Sequence, residues 1–323
     1  HSFSRRQRQM CIRDSLNIPL LSQVITIDSH IDIPFDYMEN PQHDPGKITN
    51  MQVDLAKMKK GGLDSGFFVV YVPQGPLDKV GFKKAKLLAE KKFLAISKMT
   101  KTYSNQIGLA LAPEDIIQLK SNNLLSAAIG IENGYVIGED LSLLDHYYSL
   151  GARYMTLTHI GHNQIADSSI PSKRLNDEEE LHGGISAFGK KAIKRMNELG
   201  MMIDISHISD KASLEAIKLS SAPVIASHSC VKSIADHPRN ISDELLFALK
   251  ENEGVIQITA FANYVKVNND RFNSIISLGN KVAKLYGDKS FNPSLHSNKR
   301  EYLEGIENIN MEFPMPDIDD FID

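Results

Sequence analysis

Five residues in this sequence have the types and the placement to hold metal ions: His30, Asp32, Glu132, His207 and His228. His30 and Asp32 stand two apart, so on an extended chain both side chains face the same way and can grip one cation. Glu132 closes an apolar run in GIEN, His207 closes one in DISH, and His228 closes one in ASHS. Imidazoles and carboxylates are borderline-to-hard ligands, suited to Zn2+ or a similar divalent ion. Two such ions side by side would share a carboxylate and a water, and Glu132, the middle member of the set, is the natural bridge. Taken singly, each residue has a plainer role. Asp28 shares the face of His30 and Asp32 and could be the partner instead, Glu132 could start a helix, and His207 and His228 could be histidines satisfied near a core rim. Five such coincidences at run ends are hard to sustain as chance.

The runs that carry these residues belong to a repeating pattern. Short stretches rich in Val and Ile occur at 24–31 (VITIDSHI), 66–72 (GFFVVYV), 125–131 (LSAAIGI), 154–157 (YMTL), 201–205 (MMIDI), 223–226 (PVIA) and 254–259 (GVIQIT). Continuous apolar runs of this length suit strands buried on both faces, as in a parallel sheet. Helical patterns lie between them at 83–99, 142–150, 187–199, 210–219 and 243–252, several closing on Gly or Asn, as at Leu199-Gly200. The alternation predicts an α/β fold. No glycine-rich phosphate turn follows the first strand, so a (β/α)8 TIM-barrel-like architecture is favoured over a doubly wound sheet. Seven strands can be read where a closed barrel has eight. In such a barrel the strand C-termini converge on one face, so ligands nearly 200 positions apart would meet.

Four further positions follow these runs. His159 and His162 follow the fourth run in LTHIGHN, and spacing alone does not separate them. Arg239, in DHPRNIS, could grip a carboxylate in bidentate fashion or form a surface ion pair. Cys230 lacks the partners of a nucleophile and reads as structural.

Composition excludes several classes. The chain has 323 residues, 42 % hydrophobic and 24 % charged, with a net charge of −4 and no Lys/Arg stripe for nucleic acid. No run approaches the roughly 18 apolar residues of a membrane span. Cys11 and Cys230, far apart and without a motif, argue against a disulfide framework. Residues 1–15 (HSFSRRQRQMCIRDS) are basic and aperiodic, and read as a disordered or foreign tail, leaving 16–323 for the barrel. Residues 261–270 read as a loop, 271–286 as an amphipathic helix, and 292–300 as a polar linker. The closing PDIDDFID reads as a helix beginning, with Asp317 or Asp319 as its cap, so the chain is expected to stop short of a natural end.

The segments IDSHIDIP, QVDLAKMKKGGLDSGFFVVYV, IENG, LGARYMTLTHIGHNQIADSS, ISAFGKKAIKRMNELGMMIDISHIS and PVIASHSCVKSIADHPRNISDELL resemble, in order, those of the renal or membrane dipeptidase family, the M19 metallopeptidases, in wording closer to its bacterial members. The resemblance covers roughly residues 24–323. It implies a zinc-dependent dipeptidase with two Zn2+ ions: His30 and Asp32 on one, His207 and His228 on the other, Glu132 bridging. It implies that His159 stabilises the oxyanion and that Arg239 holds the terminal carboxylate of the dipeptide substrate. It also implies an eighth strand bearing a Ser-Asp-Phe-Asp-Gly segment with a proton-handling Asp; the sequence ends at DDFID, so a barrel lacking that strand is expected, with two unpaired edges and low activity.

The rival expectations are another binuclear-metal amidohydrolase, acting on N-acyl amino acids, lactams or lactones, and a metal-binding fragment without turnover. The sequence is compatible with a homodimer and leaves the compartment open.

Overall fold

In a computed structural model the described residues are 24–291, 296–297 and 299–322. The tail expected over 1–15 lies outside them, as does most of the linker expected over 292–300. The chain divides into two compact units: one runs up to His228 and includes Phe247–Ile256, and the other comprises Ser229–Leu246 and the chain from Gln257 onward.

The first unit is an α/β structure of the TIM-barrel-like kind. Its strands are β1 (Ile27–Asp32), β2 (Ser65–Tyr71), β3 (Ile107–Leu109), β4 (Leu125–Glu132), β5 (Ala152–Thr156), β6 (Met202–Asp204) and β7 (Ile225–Ser229, of which Ser229 falls in the second unit). They pair in parallel in the order β1-β2-β4-β5-β6-β7, while β3 pairs β4 alone. Every residue of β4 is buried, as a strand covered on both faces requires. The sheet curls toward closure: Ser29 Oγ on β1 donates to the Ser227 carbonyl on β7, and Tyr154 Oη on β5 donates to the Ser29 carbonyl, 2.9 Å away, across the interior. The first residues of β8 (Val255–Ile258) also belong here, Val255 N–H donating to the Val224 carbonyl.

The crossover helices start where their sequences provide caps. Asp54 accepts from Lys57 N–H ahead of α1 (Leu55–Gly61), and Asp78 from Gly81 N–H ahead of α2 (Lys79–Thr102). After α3 (Pro113–Ser121) and α4 (Ser142–Ser149) comes α5 (Ala187–Leu199), capped by Ser186 and stopped by Gly200 at φ 75°. Its buried residues, Gly189, Ala192, Ile193 and Met196, recur at helical spacing and face the sheet. Ser209 caps α6 (Asp210–Leu219).

In the second unit, α8 (Ala262–Val265) forms inside the stretch expected to be a loop, a correction carried by Lys266 N–H closing one turn onto the Ala262 carbonyl. α9 (Asn269–Leu285) packs against α10 (Arg300–Glu312), where Gly305 admits the Leu278 side chain. α11 (Ile318–Ile322) follows Asp317, whose carboxylate accepts from Asp319 and Asp320 N–H. In chain order, α7 (Asp243–Glu251) lies between β7 and β8. No helix among the described residues is long and apolar enough to cross a membrane.

Candidate functional site

Strand register builds the site. Tyr71 pairs Glu132, Glu132 pairs Thr156, and Thr156 pairs Asp204, so one layer of residues runs across four adjacent strands at their C-terminal ends. Glu132 is the last residue of β4, and its carboxylate is buried. Four imidazoles converge on it. His30 Nε2 lies 3.5 Å from Oε2, and the Nε2 atoms of His207, His228 and His159 lie 3.0, 3.4 and 3.7 Å from Oε1. The donor atoms within mutual reach form two groups that share this residue, His30–Glu132–His228 and Glu132–His159–His207.

Electrostatics follow from that packing. Burial alone would raise the Glu132 pKa, but His30, His159, His207 and His228 outweigh it and hold the carboxyl well below its ordinary range. Burial likewise pulls His30 down, and Glu132 more than restores it, leaving the imidazole above its usual value. Asp32 has a side chain 70 % exposed, with its Oδ1 4.0 Å from His30 Nε2.

The rivalries in the sequence resolve on hydrogen bonding. Asp28 is committed to the backbone, its Oδ1 accepting His30 N–H at 2.9 Å. His162 is buried, accepts Ser168 N–H at Nδ1 and bonds the Glu178 carbonyl through Nε2, so both nitrogens are spent on main chain. His159, by contrast, turns toward Glu132 with its ring 4.8 Å from that of Tyr71.

His207 does not end its strand. It lies three residues past Asp204, in a turn at φ 71°, a left-handed conformation costly for a non-glycine residue. Its carbonyl is held there by Ser169 N–H at 2.8 Å and by the Thr158 hydroxyl at 3.3 Å. The Ser168 hydroxyl donates to the His159 carbonyl, so the ADSS segment, through Ser168 and Ser169, ties two of the four histidines together. The cue to this role in the sequence is a run of small polar residues directly after the His-bearing loop.

In the second unit, Arg239 is buried with its guanidinium carbon 5.2 Å over the Tyr264 ring and Nη1 3.3 Å from Ser229 Oγ. Cys230 is buried there too, bonded to the Thr259 carbonyl, and burial raises its thiol, an environment for a structural cysteine.

The donor set fits a divalent cation. His207 Nε2 and His228 Nε2 stand 2.9 Å apart beside the same carboxylate oxygen, an approach of lone pairs that demands a proton or a cation in the cluster. Nitrogen and oxygen ligands in this number suit zinc and its neighbours.

Fold and centre together define a TIM-barrel-like α/β protein with a His–carboxylate candidate metal centre at the strand C-termini. The chain belongs to peptidase family M19: a family model described as membrane dipeptidase matches residues 17–307. Similar proteins include Dipeptidase verJ of Clonostachys rogersoniana, 32 % identical over 75 % of this chain and 64 % of its own, and Dipeptidase 3 of Mus musculus, 31 % identical over 75 % and 48 %. The chain thus spans roughly half to two-thirds of the length of these curated relatives. Among solved structures, the probable dipeptidase PvdM from Pseudomonas aeruginosa superposes with a TM-score of 0.80 at 26 % identity, over 99 % of this chain and 82 % of its own.

Proposed function

We propose that this chain provides a dipeptidase centre that hydrolyses the peptide bond of dipeptides with two divalent cations, Zn2+ in the first instance, held by His30, Asp32, Glu132, His207 and His228. The observation that supports the reading is the convergence of His30, His207 and His228 on the two oxygens of Glu132, with Asp32 4.0 Å from His30. Membership of a metallopeptidase family supports it. Bound cations supply Lewis acidity and a water acidified toward neutrality.

The chain's own residues do the rest. Glu132, kept ionised by its histidines, puts one negative charge between both ligand groups. His159 donates a hydrogen bond to the oxygen that gains charge as the carbonyl is attacked, and the Tyr71 ring fixes its plane. Loss of one such donor costs on the order of 100-fold in rate. Arg239 selects a free substrate carboxylate, a role with its own check: Arg239→Ala should raise KM for dipeptides far more than it lowers kcat.

The reading is tested by metal content and a substrate panel. Two equivalents of zinc per chain and hydrolysis of dipeptides in preference to N-acyl amino acids, lactams and lactones are expected. Glu132→Gln should lose both equivalents while keeping the wild-type circular dichroism. Retention of full zinc content by that variant, or preference for a non-peptide substrate, would overturn the proposal.

A further inference from the structure

Two of the imidazoles that face Glu132 have their other ring nitrogen held from inside the barrel, and the two anchors differ. His30 Nδ1 lies 3.2 Å from Tyr154 Oη, whose proton is given to the Ser29 carbonyl. The phenol oxygen therefore accepts, and His30 carries its proton on Nδ1. Gly130 makes this possible, because a Cβ there would stand 2.1 Å from the Tyr154 ring.

His228 is held by a longer arrangement. Its Nδ1 lies 2.8 Å from Ser227 Oγ, which lies 2.6 Å from Asp204 Oδ2. Asp204 is fully buried. Its Oδ1 accepts Ser206 and Ser227 N–H at 3.0 and 2.9 Å, and its Oδ2 also accepts the Thr156 hydroxyl. Its two oxygens thus have four donors about them and accept from each. Ser227 must give its single proton to Asp204. Only a lone pair is left toward His228, so His228 must present N–H at Nδ1.

We propose that Asp204, acting through Ser227, is a positioning residue that sets the tautomer and ring plane of His228, leaving Nε2 bare toward Glu132. The inference rests on reading His228 as a cation ligand. A histidine ligand gains basicity and a fixed orientation when its second nitrogen donates to a carboxylate. Here one hydroxyl is inserted between the two, and each hydrogen bond polarises the next. No proton moves along the chain; the relay sets direction and donor strength only. Because His30 is backed by a phenol and His228, through a hydroxyl, by a carboxylate group, the two imidazoles are unequal donors. The sequence places each anchor next to a ligand: Ser227 directly precedes His228, and Asp204 precedes His207 by three residues. Strand β6 thus supports a ligand carried by β7.

The test uses the full chain loaded with zinc or cadmium-113 and labelled with 15N-histidine. His228 should show a slowly exchanging Nδ1 proton and coupling to cadmium through Nε2. Ser227→Ala should remove that protected proton and weaken cation retention against a chelator by roughly 10–100-fold. Ser227→Thr, which restores the hydroxyl, should recover both. Thr156→Val removes another donor to Asp204 and should leave the His228 Nδ1 signal in place. Coupling of cadmium through Nδ1, or a Ser227→Ala protein with both the proton and the affinity intact, would overturn the relay alone, provided His228→Ala loses the cation. If His228→Ala binds cation as tightly as the wild type, the ligand reading falls and the relay with it. Since Ser227 is small and buried, melting of each cation-free variant distinguishes a positioning effect from unfolding.

Discussion

The Nε2 atoms of His207 and His228 face each other at 2.9 Å, and they lie 3.0 and 3.4 Å from the same oxygen of Glu132. Three atoms that all offered lone pairs would not rest at such distances; a proton on one of them or a cation among them is needed. Without a cation, protons take that part.

The first prediction follows from His30. Burial lowers its pKa, the Glu132 carboxylate more than offsets this, and the folded value stands above the ordinary one. A raised histidine contributes stability in full below its unfolded value of about 6.5, and that contribution disappears as pH rises through the folded value. Cations must displace the same proton, so their affinity should climb across the interval in which the cation-free chain loses stability. Melting curves with and without zinc should show a larger cation-induced rise in Tm at about pH 8 than at about pH 6. A shift independent of pH would contradict this.

His207 carries a second prediction. At φ 71° an L-residue is strained, whereas glycine is not. Both His207→Gly and His207→Ala should lose a ligand and weaken cation binding. In the cation-free state, however, the glycine variant should be the more stable of the two by about 1 kcal/mol, against the usual order within ordered structure. Urea titration of the two proteins decides it; equal midpoints would mean that the turn relaxes when the imidazole is removed.

Asp167 is the anchor of the segment 180–184. Its carboxylate accepts N–H from Leu181, His182 and Gly184, and His162 stands 3.5 Å away. Burial raises its pKa, but these partners bring it below the ordinary value. The stabilisation is therefore present above the unfolded value of about 3.9 and is lost as pH falls through the folded one. Asp167→Asn should cost about 2 kcal/mol at neutral pH and progressively less in acid. Denaturant curves measured at several pH values would show the two proteins converging; a constant gap would exclude the charge as its source.

Lys92 shows the same sense of pH dependence at alkaline pH, because burial disfavours its charged form. It is buried on α2, donates to the Ile33 carbonyl at 2.8 Å and lies 4.6 Å from the Phe35 ring centre. Burial pushes its ammonium down to about 8, against partial opposition from Asp32 and Glu132. Between that value and about 10.4 the unfolded chain binds the extra proton, so wild-type stability rises with pH relative to Lys92→Met, by about 3 kcal/mol over the whole interval. A difference that stays flat from about pH 7 to about pH 10 would show that Lys92 keeps its charge throughout.

Much of the site could be read from the chain because strand-end chemistry is local. A His-x-Asp pair on an extended run, and single ligands closing Val/Ile-rich runs, state both the residue types and the end of the sheet to which they belong. Helices with clear stops were legible for the same reason: 187–199 and 210–219 coincide with α5 and α6, since Ser186, Gly200 and Ser209 are caps readable without context. β3 escaped because three residues, one a glycine, give no periodicity, and only β4 beside it makes a strand of them. The helices α1 and α3 escaped for a related reason, their apolar residues being too few to mark a face, whereas Leu303, Ile306 and Ile309 of α10 do stand at helical spacing.

By itself the sequence determined the family, the alternation of strands and helices, and the inventory of imidazoles and carboxylates able to meet a cation. These depend on residue identity and short spacing, which chain order preserves. Only the tertiary structure decided that His162 serves the backbone while His159 turns to Glu132, that His207 sits in a left-handed turn, and that Asp204 stands behind His228. Those outcomes depend on which backbone groups and side chains from distant strands come within hydrogen-bond reach. Parallel register sets that, and no stretch of the chain carries register alone.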